Sequence, residues 1–176
     1  MKKQIREEKS ANVPVVLTSP QGRMFKSEVA KEYAAVHEWI VICGHYGGVD
    51  QRFIDACVTD EVSIGDYVLT GGELPAMCMI DAASRFIPGV LGNLESAEKD
   101  SFEEDLLGYP LYTKPAVFNG LEPPAALLSG HHAEIEKWRR MKRLEITSLR
   151  RPDLLKAADM SEDEIKFVRG LKDKKV

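Results

Sequence analysis

Residues 63–73 read SIGDYVLTGGE, a short apolar run set among three glycines, and such a run can bring backbone close to a flat ligand. Gly65, Gly71 and Gly72 bracket Tyr67, Val68 and Leu69, so the chain must turn twice within a few residues, through φ/ψ space closed to residues with a Cβ. The alternative is a tight hairpin with a type I′ or II′ turn at Gly71 and Gly72. Cys43, Cys57 and Cys78 form no CxxC pair and sit in apolar sequence, which suits buried free thiols better than a metal centre or disulfides. His131 and His132 are adjacent, and neighbouring side chains diverge on a helix or strand, so a joint metal site is disfavoured.

These residues belong to a chain of 176, with 44% hydrophobic and 30% charged residues, enough for one globular domain and a small appendage. No apolar run approaches the roughly 18 residues needed to span a bilayer. The first ten residues, MKKQIREEKS, are charged where a signal peptide needs an apolar centre, so a cytoplasmic location is expected. The formal charge of −4 argues weakly against nucleic acid, but residues 131–156 carry eight Lys/Arg against four Asp/Glu. That segregation fits either a solvated helix face or an RNA-facing surface.

The elements that would position these residues follow from pattern. Residues 13–18 (VPVVLT) and 39–43 (WIVIC) are short and nearly continuously apolar, as strands of a parallel sheet covered on both faces are. Between them, residues 27–35 predict a helix capped by Ser27. Residues 62–64 and 67–69 supply further extended elements. Residues 74–86 predict a helix with little polarity, to be buried against the sheet or a second subunit. Residues 93–112 are acidic, with Glu95, Glu98, Asp100, Glu103, Glu104 and Asp105 close together, and read as a mobile linker or lid. Beyond them a helix over 133–149 carries Ile135, Trp138 and Met141 on one side and Lys137, Arg140 and Arg143 on the other. Arg151 and Pro152 end it, and Ser161 with Glu164 makes a capping box for a last helix to about Lys172.

Four segments, LTSPQGR (17–23), CGHYGGVDQR (43–52), SIGDYVLTGGELPAM (63–77) and RFIPGVLGNLESAEKDSF (85–102), together resemble the bacterial tRNA (guanine-N1) methyltransferase family. LLSGHHAEIEKWRR (127–140) and RRPDLL (150–155) extend the likeness toward the C-terminus. The resemblance implies an α/β, SPOUT-like parallel-sheet domain with a deep trefoil knot, which general topology rules would disfavour, followed by a small helical domain. It divides the chain into a cofactor-binding domain over 1–91, an acidic connector over 92–112 and a tRNA-binding domain over 113–176. It implies transfer of a methyl group from S-adenosylmethionine to N1 of the guanine immediately 3′ of the tRNA anticodon. The cofactor would lie against Leu17, Thr18, Ser19, Pro20 and Gln21; against Gly44, Tyr46 and Gly48; and against Ile64, Gly65, Asp66, Tyr67, Val68 and Leu69, with Gly71 and Gly72 behind them. Asp100 would take the N1 proton, and Arg85 would stabilise charge developing on O6. The family is homodimeric, each active site drawing its connector from the other subunit, and magnesium has been tied to the transfer step.

The chain departs from the family in three places. Family members carry roughly 80 residues ahead of the first matching strand where this chain has residues 1–12, so the sheet is expected to lack an element that covers apolar surface. The family's second loop usually reads CGRYEGVDER; here His45, Gly47 and Gln51 replace an arginine and two glutamates, and the first of those glutamates lies near the methionine end of the cofactor. Asp105 stands where the family commonly has glycine. These departures raise the alternative of a non-catalytic cofactor- or tRNA-binding paralogue, or a truncated relic.

Overall fold

The computed structural model of this chain describes residues 13–91 and 100–173; residues 1–12 and the connector residues 92–99 named above lie outside them. The chain separates into two compact units, Met1–Leu94 and Glu95–Val176.

The first unit is built on a three-stranded parallel sheet in the order β2-β1-β3. Strand β1 spans Val15–Met24, β2 Ile40–Cys43 and β3 Asp60–Ser63. Helices α1 (Ser27–Ala35) and α2 (Gln51–Cys57) carry the two crossovers, and α3 (Glu73–Ser84) follows β3. Because β1 is central, Val16 and Leu17 are almost wholly buried, the situation that near-continuous apolarity anticipates. β1 pairs with β2 from Val15↔Ile40 to Thr18↔Cys43, and with β3 from Val16↔Asp60 to Thr18↔Val62. It then bulges away and rejoins β3 at Arg23↔Val62. The bulge frees residues 19–22 from regular pairing. Gly22 lies so close to the backbone of β3 that a Cβ there would fall 2.3 Å from Val62 N.

The core of this unit gathers Val16, Val29, Tyr33, Val62, Met79 and Ala83, with Phe25, Trp39 and Ile64 packed against it. Tyr33 stacks on Trp39 with ring centroids 4.6 Å apart and donates its hydroxyl proton to Asp60 Oδ2 at 2.5 Å. Burial, and then that bond, hold the phenol above its ordinary range.

Several local expectations are corrected here. Lys26 occupies the N-cap of α1, without a side-chain capping bond, so Ser27 is the first helical residue. Residues 67–69 are not a strand: a turn with Tyr67 N–H bonded to Gly65 O leads into them, no strand among the described residues pairs with them, and Val68 is 82% exposed. No two-residue hairpin forms at Gly71 and Gly72; Gly71 bridges His45, and Gly72 is the N-cap of α3. The sheet side takes up only Ala76, Met79 and Ala83 of helix α3, and Leu74, Met77 and Ile80 are at least half exposed in the single chain, so of the two expected partners for this helix the sheet alone does not bury it. Cys43 and Cys57 are half-buried free thiols and Cys78 is exposed, because it lies off the buried stripe of α3.

The second unit is helical: α4 (Ala125–Leu128), α5 (His132–Arg150) and α6 (Glu162–Asp173), with 3-10 turns at Glu103–Asp105 and Leu154–Lys156. Leu106, Leu144 and Val168 form its core. The composition of 93–112 reads as a mobile connector, yet its described part is anchored by Leu106, which is 0% exposed. Helix α5 stops where Pro152 removes a donor, its last turn closed by Arg151 N–H to Thr147 O. The capping box forms as read: Ser161 N–H donates to Glu164 Oε2 at 2.8 Å and Glu164 N–H to Ser161 Oγ at 3.3 Å.

Candidate functional site

Three loops at the carboxyl ends of the parallel strands enclose a cavity of about 430 Å³ in the first unit, the end at which open α/β sheets hold ligands. The first loop is the β1 bulge, residues 17–21; the second, 44–49, follows β2; the third, 61–65 with 67–72, runs out of β3 into α3. The residues expected to hold a cofactor are Leu17 to Gln21, Gly44, Tyr46, Gly48, Ile64 to Leu69, Gly71 and Gly72. Every one of them lines this cavity except Asp66.

Close backbone approach fixes the loops to one another. Gly72 N–H donates to Gly44 O at 3.0 Å, tying the third loop to the second. Thr18 Oγ1, at the edge of the first loop, lies 3.3 Å from both Gly72 O and Ile42 O. A Cβ on Gly72 would fall 2.2 Å from Thr18 Oγ1 and 2.7 Å from Cys43 Cα, so only glycine permits this three-way contact. The second loop turns sharply, with Gly48 N–H bonded to His45 O and left-handed backbone at Tyr46 (φ 59°) and Gly48 (φ 121°). Gly47 differs from Gly72: no atom lies within 4 Å of the position its Cβ would take.

A latch closes one side of the site. His45 Nε2 lies 2.5 Å from Glu73 Oε1, and Gly71 bridges His45 through backbone. The carboxyl of Glu73 is held below its ordinary range by its own backbone N–H and then by His45. Burial, with Glu73 nearby, pushes the Cys43 thiol up, so it is no ready nucleophile. Sequence reasoning did not place Glu61, Gln51 or Ile54 at the cofactor site, yet all three line the cavity. The missed signal for the last two was Asp50, whose side chain accepts Arg52 N–H and starts α2.

Arg85, half-buried, is the C-cap of α3 in the first unit. Asp100, exposed, belongs to the second unit, where its Oδ1 accepts Ser101 N–H at 2.8 Å. Arg140 and Arg143, read as projecting with Lys137 away from the apolar side of their helix, are instead engaged within the second unit. Arg143 is 5% exposed and donates to Glu103 O, Leu107 O and Glu104 Oε2. Arg140 donates to Glu164, Glu104 and Asp159 O. Among the described residues no three His, Cys, Asp or Glu side chains group so as to hold a metal ion, and no helix is long and apolar enough to cross a membrane.

The cavity is walled by three loops that bring glycines and backbone polar groups to its surface. Residues 1–157 match the family model described as tRNA (Guanine-1)-methyltransferase TrmD. The chain is similar to proteins named tRNA (guanine-N(1)-)-methyltransferase in Geobacter sulfurreducens (57% identity over 150 residues, 85% of this chain and 61% of the relative), Alkaliphilus metalliredigens (54% over 160; 91% and 65%) and Caldanaerobacter subterraneus (52% over 158; 90% and 65%). It therefore spans between three-fifths and two-thirds of the length of these relatives.

Proposed function

Since the chain belongs to the tRNA (guanine-1)-methyltransferase family, we propose that it transfers a methyl group from S-adenosylmethionine to N1 of the guanine immediately 3′ of the tRNA anticodon. What supports this most is the single cavity that gathers fifteen of the sixteen residues named for the cofactor from three separate stretches of chain. Glycine at positions where a Cβ would collide, and backbone polar groups along the wall, suit an adenine edge. S-adenosylmethionine, when bound, supplies an electrophilic methyl group on a sulfonium.

The chain's own residues then do the following. The loops hold the donor bent, with the β1 bulge, the second loop and the third loop each closing one side. Asp100 takes the proton from guanine N1, which is not nucleophilic while it carries that proton. Arg85 stabilises the negative charge that develops on O6 as the proton leaves. The helical unit, with the basic stretch 131–156, holds the tRNA. Because Arg140 and Arg143 are engaged internally, the phosphate contacts fall to other cations of that stretch, such as Lys137. Magnesium keeps several of its waters and takes only one or two carboxylates from a protein, so its part in the transfer does not require the three-residue cluster that is absent among the described residues.

The first unit is the knotted domain of the family, working in the cytoplasm as a homodimer. The dimer face is the second stripe of α3, Leu74, Met77 and Ile80, which is apolar and exposed, and Asp100 serves the partner's guanine. Incorporation of tritiated methyl into tRNA tests the reading. Transfer by the parent chain that is abolished in Asp100→Ala supports it; undiminished transfer in that variant contradicts the role of Asp100.

A further inference from the structure

The segment that follows Asp100 is held in a conformation its residues do not favour. Phe102, Glu104 and Asp105 all have left-handed backbone, with φ of 74°, 54° and 55°, and side chains with a Cβ resist that region. Three backbone bonds close the turn: Glu103 N–H to Asp100 O, Leu106 N–H to Glu103 O and Phe102 N–H to Leu106 O. Strain of this kind persists only where the surroundings over-determine it.

Arg143 is the group that does so. It comes from the middle of α5, buried, and its fork reaches both ends of the turn. Nη2 donates to Glu103 O at 2.6 Å, Nη1 to Glu104 Oε2 at 2.7 Å and Nε to Leu107 O at 3.3 Å. One turn along the helix, Thr147 Oγ1 accepts Leu107 N–H at 2.9 Å and donates to Arg143 O. Ser101 Oγ accepts Gly108 N–H at 2.9 Å, so the clamp runs back to the residue beside Asp100. A lysine in place of Arg143 offers one point charge and cannot span the three acceptors.

We propose that Arg143 is a positioning residue for Asp100: by gripping the 103–107 backbone against α5 it fixes where the Asp100 carboxylate emerges from the second unit. The inference rests on Asp100 being the proton acceptor of the proposed reaction. Preorganisation of an acceptor lowers the barrier and leaves binding of a donor held by the first unit alone.

The test compares the full chain with Arg143→Lys, Glu104→Gln and Arg143→Lys/Asp105→Gly. Amide hydrogen exchange of residues 101–108 and steady-state methyl transfer are both measured. In Arg143→Lys, exchange in 101–108 should rise about tenfold or more while residues 162–170 keep their protection, and kcat should fall by about tenfold with the KM for S-adenosylmethionine unchanged. Glu104→Gln, at an exposed side chain, should move both readouts in the same direction by less, and it carries the test if the lysine variant does not fold. Asp105→Gly in the Arg143→Lys background should recover part of kcat, since glycine adopts the turn without being forced. Unchanged exchange, or faster exchange with unchanged kcat, overturns the proposal. A parent chain without any transfer overturns the proposed function itself, and this inference with it.

Discussion

Gly72 and Gly47 lie in loops around one cavity, and their missing side chains have opposite consequences. At Gly72 a Cβ would be driven into Thr18 and the backbone of β2, so Gly72→Ala should part the second and third loops. We expect a loss of about 1–3 kcal/mol in stability and at least tenfold weaker S-adenosylmethionine binding, read by thermal melting and titration calorimetry. At Gly47 the space is open and the family's glutamate is absent, so the substitution lacks a charge rather than room. Gly47→Glu should raise methyl transfer, since one positioned charged group is commonly worth about 10²- to 10⁴-fold in rate. An unchanged rate would show that the glutamate acts only through neighbours this chain has also lost. Much of the cavity wall was readable from glycine spacing together with the family's motifs. The His45–Glu73 latch was not, because it joins residues 28 positions apart through a fold that no local pattern specifies.

The elements that local chemistry specifies came through best. The capping box of Ser161 and Glu164 forms as its spacing requires, and β2 and α1 fall where apolar runs and helix formers put them. Residues 67–69 fail as a strand because an apolar triplet needs a partner strand, and pairing is decided by topology rather than by the triplet. The charged side of α5 fails for a related reason: helical spacing says which residues share a face, not what packs on that face. The same packing predicts an acid sensitivity. Arg140 holds the Glu164 carboxyl below its ordinary 4.5, its hydrogen bond outweighing desolvation. A carboxyl lowered by folding stabilises above its unfolded value and loses that contribution as pH falls through the folded one. Glu164→Gln keeps the capping geometry, so its melting-temperature deficit should be full above about pH 5 and shrink progressively as pH falls below the ordinary 4.5. A deficit that does not change with pH would assign the effect to packing instead. Asp105→Gly, by releasing one left-handed residue, should stabilise the second unit by up to about 1 kcal/mol in the same melts.

For the whole molecule, the exposed apolar stripe of α3 and the proposed sharing of Asp100 between subunits make assembly a condition of activity. Light scattering at micromolar concentration should give about twice the 19.7 kDa chain mass, and Met77→Asp, at a 65% exposed position, should halve that mass and abolish transfer together. The most direct measurement of the central claim is where a methyl group lands. N1-methylation removes the Watson–Crick donor of guanine, so reverse transcription of the treated tRNA halts beside the modified base. Incubated with S-adenosylmethionine, the chain should produce a halt at the guanine immediately 3′ of the anticodon, none in the same tRNA carrying adenine there, and none with Asp100→Ala. A halt elsewhere, or one that survives the adenine substitution or the loss of Asp100, would contradict the account.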